Sequence, residues 1–124
     1  MQIISFEDIR AWQAARKLTK EIYTLTSKGK FASDFRLRDQ IRDASASIMA
    51  NIAEGFDSQS DHEFIRFLIY SRRSASEVQS HLCVALDQLY LSVEQFDVVT
   101  KDIVEVKNLI CGFIRYLKKP QPKS

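Results

Sequence analysis

The histidines and cysteines, the side chains most often used in metal and nucleophilic chemistry, number four in this sequence: His62, His81, Cys83 and Cys111. A metal centre needs three or four such ligands converging on one point. If the helices carrying them pair about a turn near position 91, Cys111 falls opposite roughly position 71. It then lies on the order of 18 Å along the axis from Cys83. The same separation excludes an intrachain disulfide, so the two cysteines read as buried free thiols of a reducing compartment. His62 falls in the first turn of a helix and His81 stands alone in mid-helix. Neither has a sequence neighbour that would make it a general base. The chain contains no phosphate-binding glycine loop, nucleophile elbow or metal-binding helix motif. The expectation is a protein without catalytic residues, metal or cofactor, and so not an enzyme.

The carboxylates support that reading. Asp34 precedes Arg38 by one helical turn, and Asp97, Lys101 and Glu105 form a ladder of alternating charge at the same spacing, as solvated helix faces do. Glu54 is different. It follows an uncharged run and sits beside Gly55, in a last turn where a negative charge opposes the helix dipole. Its carboxylate is expected to accept backbone N–H bonds from the start of the next helix, around Ser60 to Glu63. Asn51 is expected to satisfy backbone or neighbouring-helix polar groups. Together Asn51, Glu54, Gly55, Ser60 and Glu63 read as a structural corner between two helices.

Basic residues cluster as Arg36, Arg38 and Arg42, as Arg66, Arg72 and Arg73, and as Arg10, Arg16, Lys17 and Lys20. With 18 basic and 16 acidic residues the net charge is only +2, which is a mixed soluble surface and not that of a strongly basic protein. In a symmetric ring, however, each cluster would repeat, and phosphate contacts are cumulative. The first two clusters are the candidates for an anionic partner. No recognition-helix signature or aromatic RNA-binding motif accompanies them.

The elements that must position these residues are helices. The chain has 3 Gly and 2 Pro in 124 residues, and both prolines sit in the last five, a scarcity of breakers that favours long helices with short turns. Helix 1 opens at Ser5 with Asp8 three residues on and carries Ile9, Trp12, Ala15, Leu18, Ile22 and Leu25 on one stripe, with Gly29 as its stop. Helix 2 starts at Ser33 or Asp34, reads Leu37, Ile41, Ala44, Ile48 and Ile52, and ends at Gly55. Helix 3 begins with the Ser60–Glu63 capping box and passes through Phe64, Phe67 or Leu68, Ser71, Ala75, Val78, Leu82, Ala85 and Leu89. Helix 4 is capped by Ser92 with Gln95 and reads Phe96, Val99, Ile103, Val106, Ile110, Phe113 and Leu117, a regular bundle seam.

Short connections make successive helices antiparallel. The expected fold is all-α, an up-down-up-down four-helix bundle formed as one domain over residues 1–119. Residues 120–124 are expected to be a short disordered tail. No apolar run approaches the length of a membrane span and the N-terminus lacks signal-peptide features, so a cytoplasmic protein with no membrane partner is expected.

One stretch does not suit an isolated bundle. Between Asp43 and Glu54 the sequence "ASASIMANIA" is uncharged for ten residues, nearly three turns in which a surface helix would show a charged face. A homo-oligomer interface is expected there, with Ala46, Met49, Ala50 and Ala53 among its contacts. Ile65 and Ile69, off the main stripe of helix 3, point the same way.

The segments "FEDIRAWQAARKLTKEIYTLT", "LRDQIRDASASIMANIAEGF" and "SDHEFIRFLIYSRRSASEVQSHLCVAL" resemble the bacterial four-helix-bundle family encoded in intervening sequences of large-subunit ribosomal RNA genes, which is often described as ribosomal-like. The resemblance spans about residues 6 to 118. "QIRDASASI", "NIAEG" and the Trp12–Gln13–Ala15 segment carry it most specifically. It implies a homopentameric ring. It also implies kinship with the accessory variability determinants of diversity-generating retroelements, which bind nucleic acid and a reverse transcriptase. The chain departs from those strongly basic accessories by its near-neutral balance. The leading expectation is therefore a non-enzymatic, ring-forming scaffold for RNA or a ribonucleoprotein. Two alternatives stay open: a protein-interaction adaptor with no nucleic acid partner, and an enzyme whose site is assembled between subunits.

Overall fold

The computed structural model describes residues 3–119, so the tail at 120–124 lies outside the described residues. The Ser5–Asp8 pair does start a helix, but only a single 3-10 turn over Phe6–Asp8. There Asp8 Oδ2 accepts from the N–H groups of Ile4 at 3.0 Å and Ser5 at 3.1 Å. Ile9 is extended, and α1 then runs Arg10–Leu25. It stops well before Gly29. Thr26 is buried and turns its Oγ1 back to donate to the carbonyl of Ile22 at 2.7 Å.

Gly29 has a different task. Its φ of +59° is the left-handed conformation that glycine adopts without a Cβ penalty, and it opens α2 (Gly29–Ser33), a one-turn helix absent from the periodicity reading. This turn drops Phe31 into the end of the core, where it is 1% exposed and packs 5.4 Å from the Tyr90 ring.

The third helix, α3 (Phe35–Asp57), begins at the expected cap, with Asp34 Oδ1 accepting from Leu37 N–H at 3.2 Å. The other carboxylate oxygen accepts from Tyr90 Oη at 2.9 Å. Contrary to the expected stop, α3 continues through Gly55 to Asp57, and the chain reverses at Gln59, whose φ is +58°. Gly55 instead permits close packing. A Cβ there would lie 2.7 Å from Phe64 Cδ1 and 2.9 Å from Phe67 Cβ.

The last two long helices are α4 (Asp61–Asp87) and α5 (Val93–Lys118). Leu89, expected on the stripe of α4, lies beyond the helix end and is 85% exposed. Ser60 Oγ accepts from Glu63 N–H at 3.3 Å, while the Glu63 side chain turns to Arg66. At α5 both arms of the box form, Ser92 N–H to Gln95 Oε1 at 2.8 Å and Gln95 N–H to Ser92 Oγ at 3.1 Å.

The long helices close a cycle: α1 packs on α3, α3 on α4, α4 on α5, and α5 returns to α1. Cross-helix contacts run in opposite chain directions at every seam. Thr19 reaches the Ser45 carbonyl while Arg42 reaches Thr26. Ser71 donates to the Ile48 carbonyl at 2.7 Å, and Phe64 lies against Gly55. Lys107 meets Gln79 and Cys111 meets Arg72. Inside, Leu18, Ile22, Ile41, Ile48, Ile52, Leu68, Leu82, Ile103 and Ile110 are fully buried. The α5 stripe follows expectation to Ile110 and then slips by one position, burying Ile114 while Phe113 is only partly covered.

Candidate functional site

The uncharged run of α3 divides between two environments. Ala44, Ser45, Ile48 and Ile52 enter the core, whereas Ala46 and Ala50 are exposed and Met49 and Ala53 half-buried. These last four recur at helical spacing and form one outward strip. Exposed carboxyl residues bracket it: Asp39 and Asp43 before, Glu54 and Asp57 after.

Beside this strip the α3–α4 seam is lined with small polar groups. Ser74 Oγ donates to Ser47 Oγ at 3.2 Å. Asn51 Nδ2 donates to the Ser47 carbonyl at 2.9 Å and approaches Ser47 Oγ at 3.1 Å, so Asn51 is satisfied within its own helix. At the corner, the expected Glu54 bonds to the start of α4 do not form among the described residues, and Glu54 is exposed. Ser60 Oγ is the acceptor at the start of α4 instead, while Ser58 Oγ donates to the Gly55 carbonyl at 2.6 Å at the end of α3. The physical reason is that α3 runs past Glu54, which leaves the carboxylate on its outer surface.

The six candidate arginines fall into separate groups. Arg36, Arg38 and Arg42 lie in the first half of α3, toward the Asp34–Tyr90 end. Arg66 lies near the start of α4 and, through the Ile48–Ser71 register, is displaced from Arg36 by about 25 Å along the axis. Several are engaged. Arg38 Nε donates to Asp39 at 2.9 Å, and its guanidinium lies 4.8 Å over Phe35. Arg42 donates to Thr26 Oγ1 at 2.7 Å and stacks on Tyr23 at 4.5 Å. Arg66 pairs with Glu63 at 2.6 Å, which raises its already high pKa through that carboxylate. Arg72 turns into the α4–α5 seam, 3.9 Å from Cys111 Sγ. Arg66 and Arg73 share the face of Tyr70, at 5.7 and 5.9 Å from its ring. Arg36 and Arg73 are exposed and form no ion pair among the described residues.

The sequence model described as 23S rRNA-intervening sequence protein matches residues 7–112 of the chain. The chain belongs to the 23S rRNA-intervening sequence protein family. A solved structure from Bacteroides thetaiotaomicron, described as a protein with unknown function from the S23 ribosomal protein family, shares the fold at a TM-score of 0.77. It is 24% identical and the match covers 85% of this chain and 98% of that one. No curated protein matches the chain.

Other features of this intervening-sequence protein depend on the α1–α5 register and were hidden from sequence reading. Glu21 faces Asp102 across that seam, and burial followed by the neighbouring carboxylate pushes its pKa up to about 7. Lys17 Nζ lies 3.7 Å from Asp102. Two clefts flank this contact. One, of about 460 Å³, is lined by residues such as Lys20, Leu25, Gln95 and Val98. The other, of about 550 Å³, includes Arg10, Asn108, Gly112 and Tyr116 in its walls. The thiols need one correction: Cys83 is exposed and Cys111 half-buried. Cys83 follows Leu82 directly in α4, so with Leu82 in the core the next side chain turns away from it. Among the described residues no group of three or more His, Cys, Asp or Glu side chains is placed to hold a metal ion, and no helix is long and apolar enough to cross a membrane.

Proposed function

We propose that this intervening-sequence protein forms a homo-oligomeric ring, a pentamer, that serves in the cytoplasm as a non-enzymatic scaffold for RNA or a ribonucleoprotein. The observation carrying the reading is the outward strip of α3, where exposed Ala46 and Ala50 adjoin Met49 and Ala53. Small side chains let a second backbone approach closely, and no charge must be desolvated to make that contact. Repetition around the ring would multiply the cations of each copy, Arg36 and Arg73 above all, into a salt-sensitive phosphate-binding surface. Light scattering is the test. The unmodified chain should have a multiple of the monomer mass at micromolar concentration, and Ala50→Glu should reduce it to the monomer. A monomeric parent protein refutes the ring.

The adaptor reading has an observation of its own. Phe35 is 65% exposed, Leu89 85% and Val93 61%, and all three lie at the Asp34–Tyr90 end of the bundle. Affinity capture with and without nuclease separates the readings, because a protein partner survives digestion and a ribonucleoprotein held through RNA does not.

A further inference from the structure

We infer that single-stranded RNA lies along the outer face of α1, with its backbone on Arg10, Arg16, Lys17 and Lys20 and a base in the cleft beside Tyr116. This rests on the RNA reading above, but moves the contact from the α3 and α4 arginines to a different helix.

The charge pattern of α1 is the first argument. Arg10, Arg16, Lys17 and Lys20 are all exposed and follow one another at spacings that keep them on the side away from Ala11, Ala15, Leu18 and Ile22. They span about 15 Å of helix. The Lys17 side chain retains 69% of its exposure even while near Asp102, and the Arg16 guanidinium is held 5.7 Å over the Trp12 ring. Glu21 is the one carboxylate in α1. Its raised pKa leaves it partly protonated near neutral pH, which removes part of the opposing charge. By contrast, Arg38, Arg42, Arg66 and Arg72 already spend their donors on internal partners.

The cleft is the second argument, and it distinguishes single strands from duplexes. The row of cations begins at Arg10, which also lines the 550 Å³ cleft between α1 and α5. Tyr116 stands at this cleft with 59% of its surface exposed. An exposed aromatic face next to a cationic track is how sequence-tolerant single-strand sites combine base stacking with backbone neutralisation. A duplex keeps its bases stacked on one another and has none to offer Tyr116. The Asp8 carboxylate also borders the cleft, but its Oδ2 is occupied by the N–H groups of Ile4 and Ser5.

Fluorescence anisotropy with a labelled 12-nucleotide unstructured RNA, over a salt series, tests the assignment on the full chain. Arg10→Glu/Arg16→Glu/Lys20→Glu should weaken binding at least tenfold and reduce the salt slope by about 2, the value for three lost phosphate contacts. The neutral triple Arg10→Gln/Arg16→Gln/Lys20→Gln should reproduce the slope change, which guards against a fold defect from charge reversal. Tyr116→Ala should weaken binding about fivefold to tenfold with the slope unchanged. If the parent protein binds no RNA, the underlying RNA reading falls. If it binds and both α1 triples bind equally well, the α1 assignment alone falls. A preference for a hairpin duplex over the unstructured strand overturns the single-strand claim. A loss of oligomer mass in the triples, with RNA affinity intact, would assign α1 instead to contacts between copies.

Discussion

Replacing Gly55 by alanine should destabilise the protein, whereas the same change at Gly112 should stabilise it. Both glycines lie inside long helices, so removing backbone freedom favours alanine by up to about 1 kcal/mol at each. The surroundings decide the sign. At Gly55 the new methyl would meet Phe67 Cβ at 2.9 Å and Phe64 Cδ1 at 2.7 Å, well inside the roughly 3.5–4.0 Å optimum for carbon contacts. The Phe64 ring can swing, but Phe67 Cβ is fixed to the α4 backbone, so α3 and α4 must separate. Such overpacking costs roughly 1–3 kcal/mol, and it also pulls on the 2.7 Å Ser71–Ile48 bond. The expected net loss is about 1–2 kcal/mol. At Gly112 the nearest atom is Arg115 Nη2 at 3.7 Å, an ordinary contact, and the helix gain is kept. Urea titrations followed by far-UV circular dichroism, at one protein concentration, should move the two midpoints in opposite directions with m unchanged. If Gly55→Ala raises the midpoint as Gly112→Ala does, the α3–α4 seam is not close-packed at this point and the argument fails.

Glu21→Gln should change the pH dependence of stability. The Glu21 pKa is about 7 in the fold against an ordinary value of 4.5, so the folded state holds the extra proton between these values and wild-type stability falls as pH rises across that interval. The glutamine variant should match wild type near pH 4 and exceed it by about 1 kcal/mol at pH 8, after allowance for solvent screening; equal slopes in pH-dependent denaturation would contradict this. Ser71→Ala removes the buried donor to the Ile48 carbonyl and should cost about 1 kcal/mol, read as a lower urea midpoint. Leu89 holds φ at +62° while 85% exposed, so Leu89→Gly should gain about 0.5–1 kcal/mol by relieving left-handed strain. An unchanged or lower melting temperature would count against that strain.

The four long helices were legible because burial on one side repeats with the turn of the helix, and the periods of Leu18–Ile22, Ile41–Ile48–Ile52 and Val99–Ile103–Val106–Ile110 survive in the fold. What escaped was local. The five residues of α2 are too few to show a period, and Phe31 could not be recognised as a plug without Tyr90 beside it. Gly55 has the type of a helix stop, but close approach between helices calls for the same residue, and only the Phe64 and Phe67 positions distinguish the two. The end of α5 drifted because steps of three and four do not divide a helical turn evenly, and Phe113 found Phe64 at 5.1 Å. Among the interaction residues, the outward strip of α3 could be read as an absence of charge. Which arginines are tied down could not, because Arg42–Thr26 and Arg72–Cys111 require the seam registers first.

The cyclic packing also determines where this molecule opens. Three seams join long helices that follow one another in the chain, but the α1–α5 seam joins two that no connection links, so it can part without any connection being undone. It is also the seam flanked by the two clefts, whereas α3 and α4 are bound by Ser71–Ile48 and Ser74–Ser47. Amide hydrogen exchange should therefore be slowest in the middle of α3 and α4 and faster in α1 and α5, since regions with fewer buried contacts open at lower free energy. In dynamic terms, the protein is an α3–α4 hairpin with two outer helices fastened to it, and the parting of α1 from α5 is the first sub-global motion this architecture permits.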